Sequence, residues 1–142
     1  MGSRRKGGKS GQIFRTRITR GLNAESVIHI CDNSGAKMAK IISVIGLVTR
    51  LNRLPYATVG DVVVVSIKKG NPDLRKKVMK AIIVRQKQTI KRPDGTRLRF
   101  EDNAAVLVGD EGDPKGSVIH GPIAREAAEL FPRISNLASQ IV

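Results

Sequence analysis

Apolar residues along this chain fall mostly at alternate positions or in short unbroken runs, and helical spacing appears only near the end. Alternation and runs of this kind predict strands over 26–31, 38–48, 62–68, 80–90, 97–100 and 104–108. Ile and Val together number 29 against 9 Leu, a bias toward β-branched residues that suits pleated surfaces. Turn residues punctuate the runs: Asp32-Asn33-Ser34-Gly35, Val59-Gly60-Asp61, Gly70-Asn71-Pro72-Asp73 and Pro93-Asp94-Gly95. Short strands so spaced predict a mainly β fold, a small closed barrel whose closure removes exposed edges.

After residue 120 the period changes. Pro122 fits the first turn of a helix carrying Ile123, Ala127 and Leu130 on one face. Pro132 interrupts it and starts a second helix with the stripe Ile134, Leu137, Ala138 and Ile141. The expectation is two short amphipathic helices packed on the barrel. The 142 residues suit one domain, here 21–142, preceded by a basic arm over 1–20 rich in Gly and Ser.

Charge adds the ligand class. Lys and Arg number 26 against 12 Asp and Glu, a net charge of +14, which points to a polyanion. The excess is uneven. Residues 1–99 hold 23 basic and 5 acidic side chains, whereas residues 100–142 hold 3 and 7. The first part seeks a polyanion; the second would be repelled by it or face something else. With three Phe, one Tyr and no Trp, base stacking is not the main mode of recognition. No apolar run of about 18 residues is present, so no membrane contact is expected. The single cysteine, Cys31, excludes an intramolecular disulfide framework and fits a reducing setting.

The cations fall into groups. The arm carries Arg4, Arg5, Lys6, Lys9, Arg15 and Arg17. Lys37 and Lys40 flank the first turn, and Arg50 and Arg53 lie in a segment broken by Pro55. Lys68, Lys69, Arg75, Lys76 and Lys77 surround the Asn71-Pro72 loop with Asp73 as the one acid among them. Asp94-Gly95 predicts a two-residue hairpin loop, which places Arg92 opposite Arg97. Arg85, Lys87 and Lys91 then share one face of the first arm, and Arg99 extends the second. Alternate strand residues stand about 6.6 Å apart, so successive cations can meet separate phosphates.

Catalytic signals are weak. Gly8-Lys9-Ser10 lacks the upstream glycine of a phosphate-binding loop, and no strand precedes it. His29, His120 and Cys31 do not make a metal site, and Asp110-Glu111-Gly112-Asp113 lacks calcium-loop spacing. No cofactor, metal or catalysis is expected.

Several motifs in order resemble a known family. These are Cys31-Asp32-Asn33-Ser34-Gly35-Ala36, then Ala81-Ile82-Ile83-Val84, Asp94-Gly95, Phe100, Asn103, Val106 and Leu107, and finally 116–124 with Gly121-Pro122. Together they resemble the universal large-ribosomal-subunit protein number fourteen. Arg50-Leu51-Asn52-Arg53-Leu54-Pro55 and Phe100-Glu101-Asp102-Asn103 look like its archaeal and eukaryotic branch.

The resemblance implies a five-stranded barrel with small C-terminal helices, bound to large-subunit ribosomal RNA in the cytoplasm. It also implies a place at the subunit interface, with small-subunit RNA met through bridges and neighbouring ribosomal proteins in contact. An anti-association factor, initiation factor six, would dock on the 115–118 turn (Lys115, Ser117, Val118) and near Arg133. No homo-oligomer is expected. Two rivals differ in class. A free single-strand-binding translation or RNA-chaperone factor normally shows surface aromatics, and an RNA-processing enzyme needs clustered acids or a metal site.

Overall fold

The computed structural model describes residues 18–46 and 51–142. Its elements in chain order are β1 (Leu22–Asn23), β2 (Val27–Ile30), β3 (Ala36–Val44), β4 (Tyr56–Ala57), β5 (Val62–Gly70), β6 (Val78–Arg85), β7 (Ile90–Lys91), β8 (Arg97–Leu98), β9 (Ala104–Val108), β10 (Ile119–Ile123), α1 (Arg125–Leu130), α2 (Pro132–Leu137) and β11 (Ala138–Ile141). Five of them close a barrel in the order β2-β3-β5-β6-β9. Four contacts in the ring are antiparallel, and β2 meets β9 in parallel through His29↔Ala104 and Ile30↔Ala105. The mainly β barrel with short C-terminal helices is therefore as the chain's pattern predicts.

Alternation does the sorting on β5. Val63, Val65 and Ile67 are buried inside, while Val62, Val64 and Ser66 remain partly exposed. Each fully buried Val or Ile side chain contributes about 1.5–3 kcal/mol. On β9 all five residues are buried, as are Ala81 to Arg85 of β6. Both faces of β6 are covered because α1 and β10 pack against it. Ile18 already belongs to this one core.

Three expectations need correction. The predicted strand 80–90 stops at Arg85, and β7 begins only at Ile90. At the break Gln86 is fully buried, accepts from Val59 N–H at 3.2 Å and donates to the Thr19 and Gln88 carbonyls at 3.1 and 3.2 Å.

The hairpin loop holds three residues rather than two. Lys91 pairs with Arg97, and Arg92 N–H donates to the Thr96 carbonyl at 2.8 Å. Gly95 at φ 91° takes the left-handed turn that this loop requires. Arg92 and Arg97 are thus not opposite one another.

The helices are also shorter than their apolar stripes. Pro122 lies in β10, not in a helix. The second helix ends at Leu137, and Ala138 and Ile141 pair in parallel with Ile119 and Ile123. An i, i+3, i+4 pattern of apolar residues cannot reveal a strand partner eighteen or nineteen residues earlier.

Candidate nucleic-acid interface

The first basic surface forms where β5 runs out of the barrel. Ile67 is buried, Lys68 and Lys69 are exposed, and Gly70 at φ 151° turns the chain. A Cβ on Gly70 would come within 2.8 Å of the Ala36 Cα and the Gly35 carbonyl, so only glycine permits this approach. The loop that follows is pinned by its backbone. Asn71 N–H donates to the Gly35 carbonyl at 3.1 Å, and Lys76 N–H donates to the Ile67 carbonyl at 2.9 Å. Leu74 packs against the core. Arg75, Lys76 and Lys77 are thereby displayed, exposed, on a preformed loop beside exposed Lys37 of β3. Lys40 lies further along β3, half-buried, opposite Ser66. A prefixed array of cations loses little conformational freedom when it meets phosphates.

The second basic surface is the β7–β8 hairpin. Ile90 and Leu98 pair on its inner side and join the core, so the next pair, Lys91 and Arg97, faces outward. Lys87 and Arg99 are exposed at its root. Asp94 fixes the tip by accepting from Thr96 N–H at 2.9 Å, and that bond holds its carboxyl below the ordinary 3.8.

Two residues expected on this face are elsewhere. Arg92 follows Lys91, so the alternation turns it inward onto Glu126. Arg85 is buried. A bulge between Ile83 and Arg85 re-aims it toward β10. There its Nη1 donates to the His120 and Pro122 carbonyls at 2.9 and 3.1 Å, and its Nη2 to Asp102 Oδ2 at 3.1 Å. Its Nε stands 3.0 Å from Asp102 Oδ1 as an ion pair. Neither arginine is placed to grip a phosphate.

The residues expected to face proteins do come together. Asn33 Oδ1 accepts from Ser117 and Val118 N–H at 2.7 and 3.2 Å, which ties the 115–118 turn to the first turn. Lys115, Ser117 and Val118 are exposed, and Arg133 at the start of α2 pairs with Asp113 just before the turn.

Arg53 is exposed. Arg4, Arg5, Lys6, Lys9, Arg15, Arg17 and Arg50 lie outside the described residues. Sequence reasoning counts Arg20 among the arm's cations but does not foresee that its guanidinium lies 3.4 Å from the centre of the Tyr56 ring. It also missed Glu126 as the partner of Arg92, because thirty-four residues separate them.

Among the described residues no three His, Cys, Asp or Glu side chains gather to hold a metal ion. No helix among them is long and apolar enough to cross a membrane. Cys31 is buried, with its thiol donating to the Ala105 carbonyl at 3.5 Å, and burial pushes its pKa from 9.0 to about 11. The folded pKa is the raised one, so this group favours folding fully below pH 9 and loses that contribution as pH climbs through about 11. A thiol reagent at pH 8 should therefore label Cys31 only after denaturant is added. Rapid labelling of the folded protein would show that the site opens.

Compared with known families, residues 21–142 match the model described as ribosomal protein L14p/L23e.

Proposed function

This chain belongs to the ribosomal protein L14p/L23e family, and from that premise we propose how it engages its particle. The family's members are structural, non-catalytic components of the large ribosomal subunit in the cytoplasm. Our reading is that this chain binds large-subunit ribosomal RNA by neutralising phosphates with two basic surfaces on a rigid barrel. The observation that carries it is the pinned loop, which holds Lys68, Lys69, Arg75, Lys76 and Lys77 exposed together. Lys87, Lys91, Arg97 and Arg99 of the hairpin supply the second grip, and the arm over 1–20 a third. Recognition rests on RNA shape and backbone.

The chain would sit at the subunit interface and reach small-subunit RNA through bridges. The 115–118 turn with Arg133 is the face proposed for neighbouring proteins and for initiation factor six. The motifs over 50–55 and 100–103 support placing it in the archaeal and eukaryotic branch. The rival, a free single-strand-binding factor, is disfavoured because Phe100 is buried and Arg20 covers the Tyr56 ring.

Sedimentation of a lysate through a sucrose gradient tests the reading. The protein should co-migrate with large subunits at moderate salt and leave them at high salt. Migration at the top of the gradient at moderate salt would remove the ribosomal assignment of this chain.

A further inference from the structure

The inward arginine of the hairpin has an acidic partner, and the pair joins the basic ribbon to the C-terminal helix. Arg92 Nε donates to Glu126 Oε1 at 2.9 Å, and its Nη2 donates to Glu126 Oε2 at 3.3 Å and to the Val142 backbone oxygen at 2.7 Å. The side chains are only 14% and 15% exposed, so water screens the pair little.

The helix end that receives Arg92 is itself fixed. Ala124 N–H donates to the Val84 carbonyl at 3.0 Å, Arg125 N–H to the Val142 carbonyl at 3.0 Å, and Val142 N–H to the Ile123 carbonyl at 2.9 Å.

The hairpin needs such a tie. It has two residue pairs, and the outward pair, Lys91 and Arg97, repels itself. A two-stranded ribbon of this size does not hold its orientation alone. Its inner side has two anchors: the Ile90–Leu98 pair in the core, and Arg92 on Glu126. The first holds the root, and the second lies next to the loop.

We propose that Glu126, an acid in a protein that binds a polyanion, is a positioning residue for RNA binding: it holds Arg92 and thereby aims Lys91 and Arg97. The inference rests on the RNA-binding reading above and predicts a sign opposite to that of charge alone. Glu126→Gln makes the protein more positive by one, which by Coulomb attraction strengthens RNA binding. Positioning requires the reverse.

The test uses the full chain and large-subunit ribosomal RNA transcribed in vitro, with affinity measured at several salt concentrations. Glu126→Gln should weaken binding about fivefold and reduce the salt slope by about one, as when one phosphate contact is lost. Glu126→Asp keeps the charge but shortens the reach, and should weaken binding similarly. In a Lys91→Ala, Arg97→Ala background, where the aimed groups are gone, Glu126→Gln should have little further effect.

Thermal melting checks that the barrel stays folded. If Glu126→Gln fails to fold, Glu126→Asp and its cycle in the same background decide. Unchanged or tighter binding by the Glu126 variants, with weaker binding by Lys91→Ala, Arg97→Ala, overturns the positioning role and leaves the RNA-binding reading standing. An equal loss in both backgrounds also overturns it, since the effect then bypasses the hairpin. If neither the hairpin variants nor loss of the loop cations weakens binding, the RNA-binding reading itself fails.

Discussion

Replacing Arg75 by Gln, Lys76 by Asn and Lys77 by Gln together should weaken binding to large-subunit ribosomal RNA by about 30–100-fold near 0.1 M salt. The same variant should reduce the slope of log K against log salt by about two to three, roughly one per lost phosphate contact. The loop should keep its shape, because backbone bonds hold it. Lys76 N–H to the Ile67 carbonyl and Asn71 N–H to the Gly35 carbonyl involve no side-chain charge. Asn is the choice at position 76 because that residue sits at φ 65°, where Asn is tolerated better than most. The comparison is with three substitutions at exposed neutral positions outside both basic surfaces, which should change the affinity little. An affinity loss that is the same at every salt concentration would mean the loop acts by shape alone, and the phosphate role would fall.

The second large effect is on stability. Arg85→Met should destabilise the protein by about 3 kcal/mol, seen as a lower denaturant midpoint and a melting temperature reduced by roughly 10 °C. Removing one partner from a buried charged network strands the others: here Asp102 and the carbonyls of His120 and Pro122. The cost lies at the lower end of the 3–5 kcal/mol typical of such losses, because the Asp102 side chain is 35% exposed and water can take up part of it. RNA affinity of the variant, measured well below its melting point, should match that of the parent. A loss of affinity without a loss of stability would return Arg85 to the RNA-facing set.

The two predictions mark what the chain discloses and what it hides. Barrel strands such as β5 were legible because Val63, Val65 and Ile67 alternate with exposed neighbours, and that alternation is local. The loop cations were legible for the same reason: a run of like charges beside Asn-Pro is a local feature. Arg85 and Arg92 look identical to their solvent-facing neighbours in one dimension. A bulge re-aims Arg85, and Arg92 is turned inward by its alternation with Lys91 onto a partner that only the folded chain supplies. Their partners Asp102 and Glu126 lie seventeen and thirty-four residues away. Strands β10 and β11 were hidden too, since Pro122 reads as a helix start and Ala138 with Ile141 continues a helical stripe.

The parallel contact of β2 with β9 bears on how this chain is made. The barrel's first strand finds its last neighbour across some 75 residues, His29 lying opposite Ala104, and four of the five strands emerge before that neighbour exists. During synthesis the free edge of β2 carries unpaired amides and carbonyls while Ile28 and Ile30 await their cover. A topology that joins distant segments folds slowly, so β2 keeps this open edge until β9 has been made and has docked. Charge repulsion among the chain's 23 early cations keeps neighbouring nascent copies apart until the ring shuts.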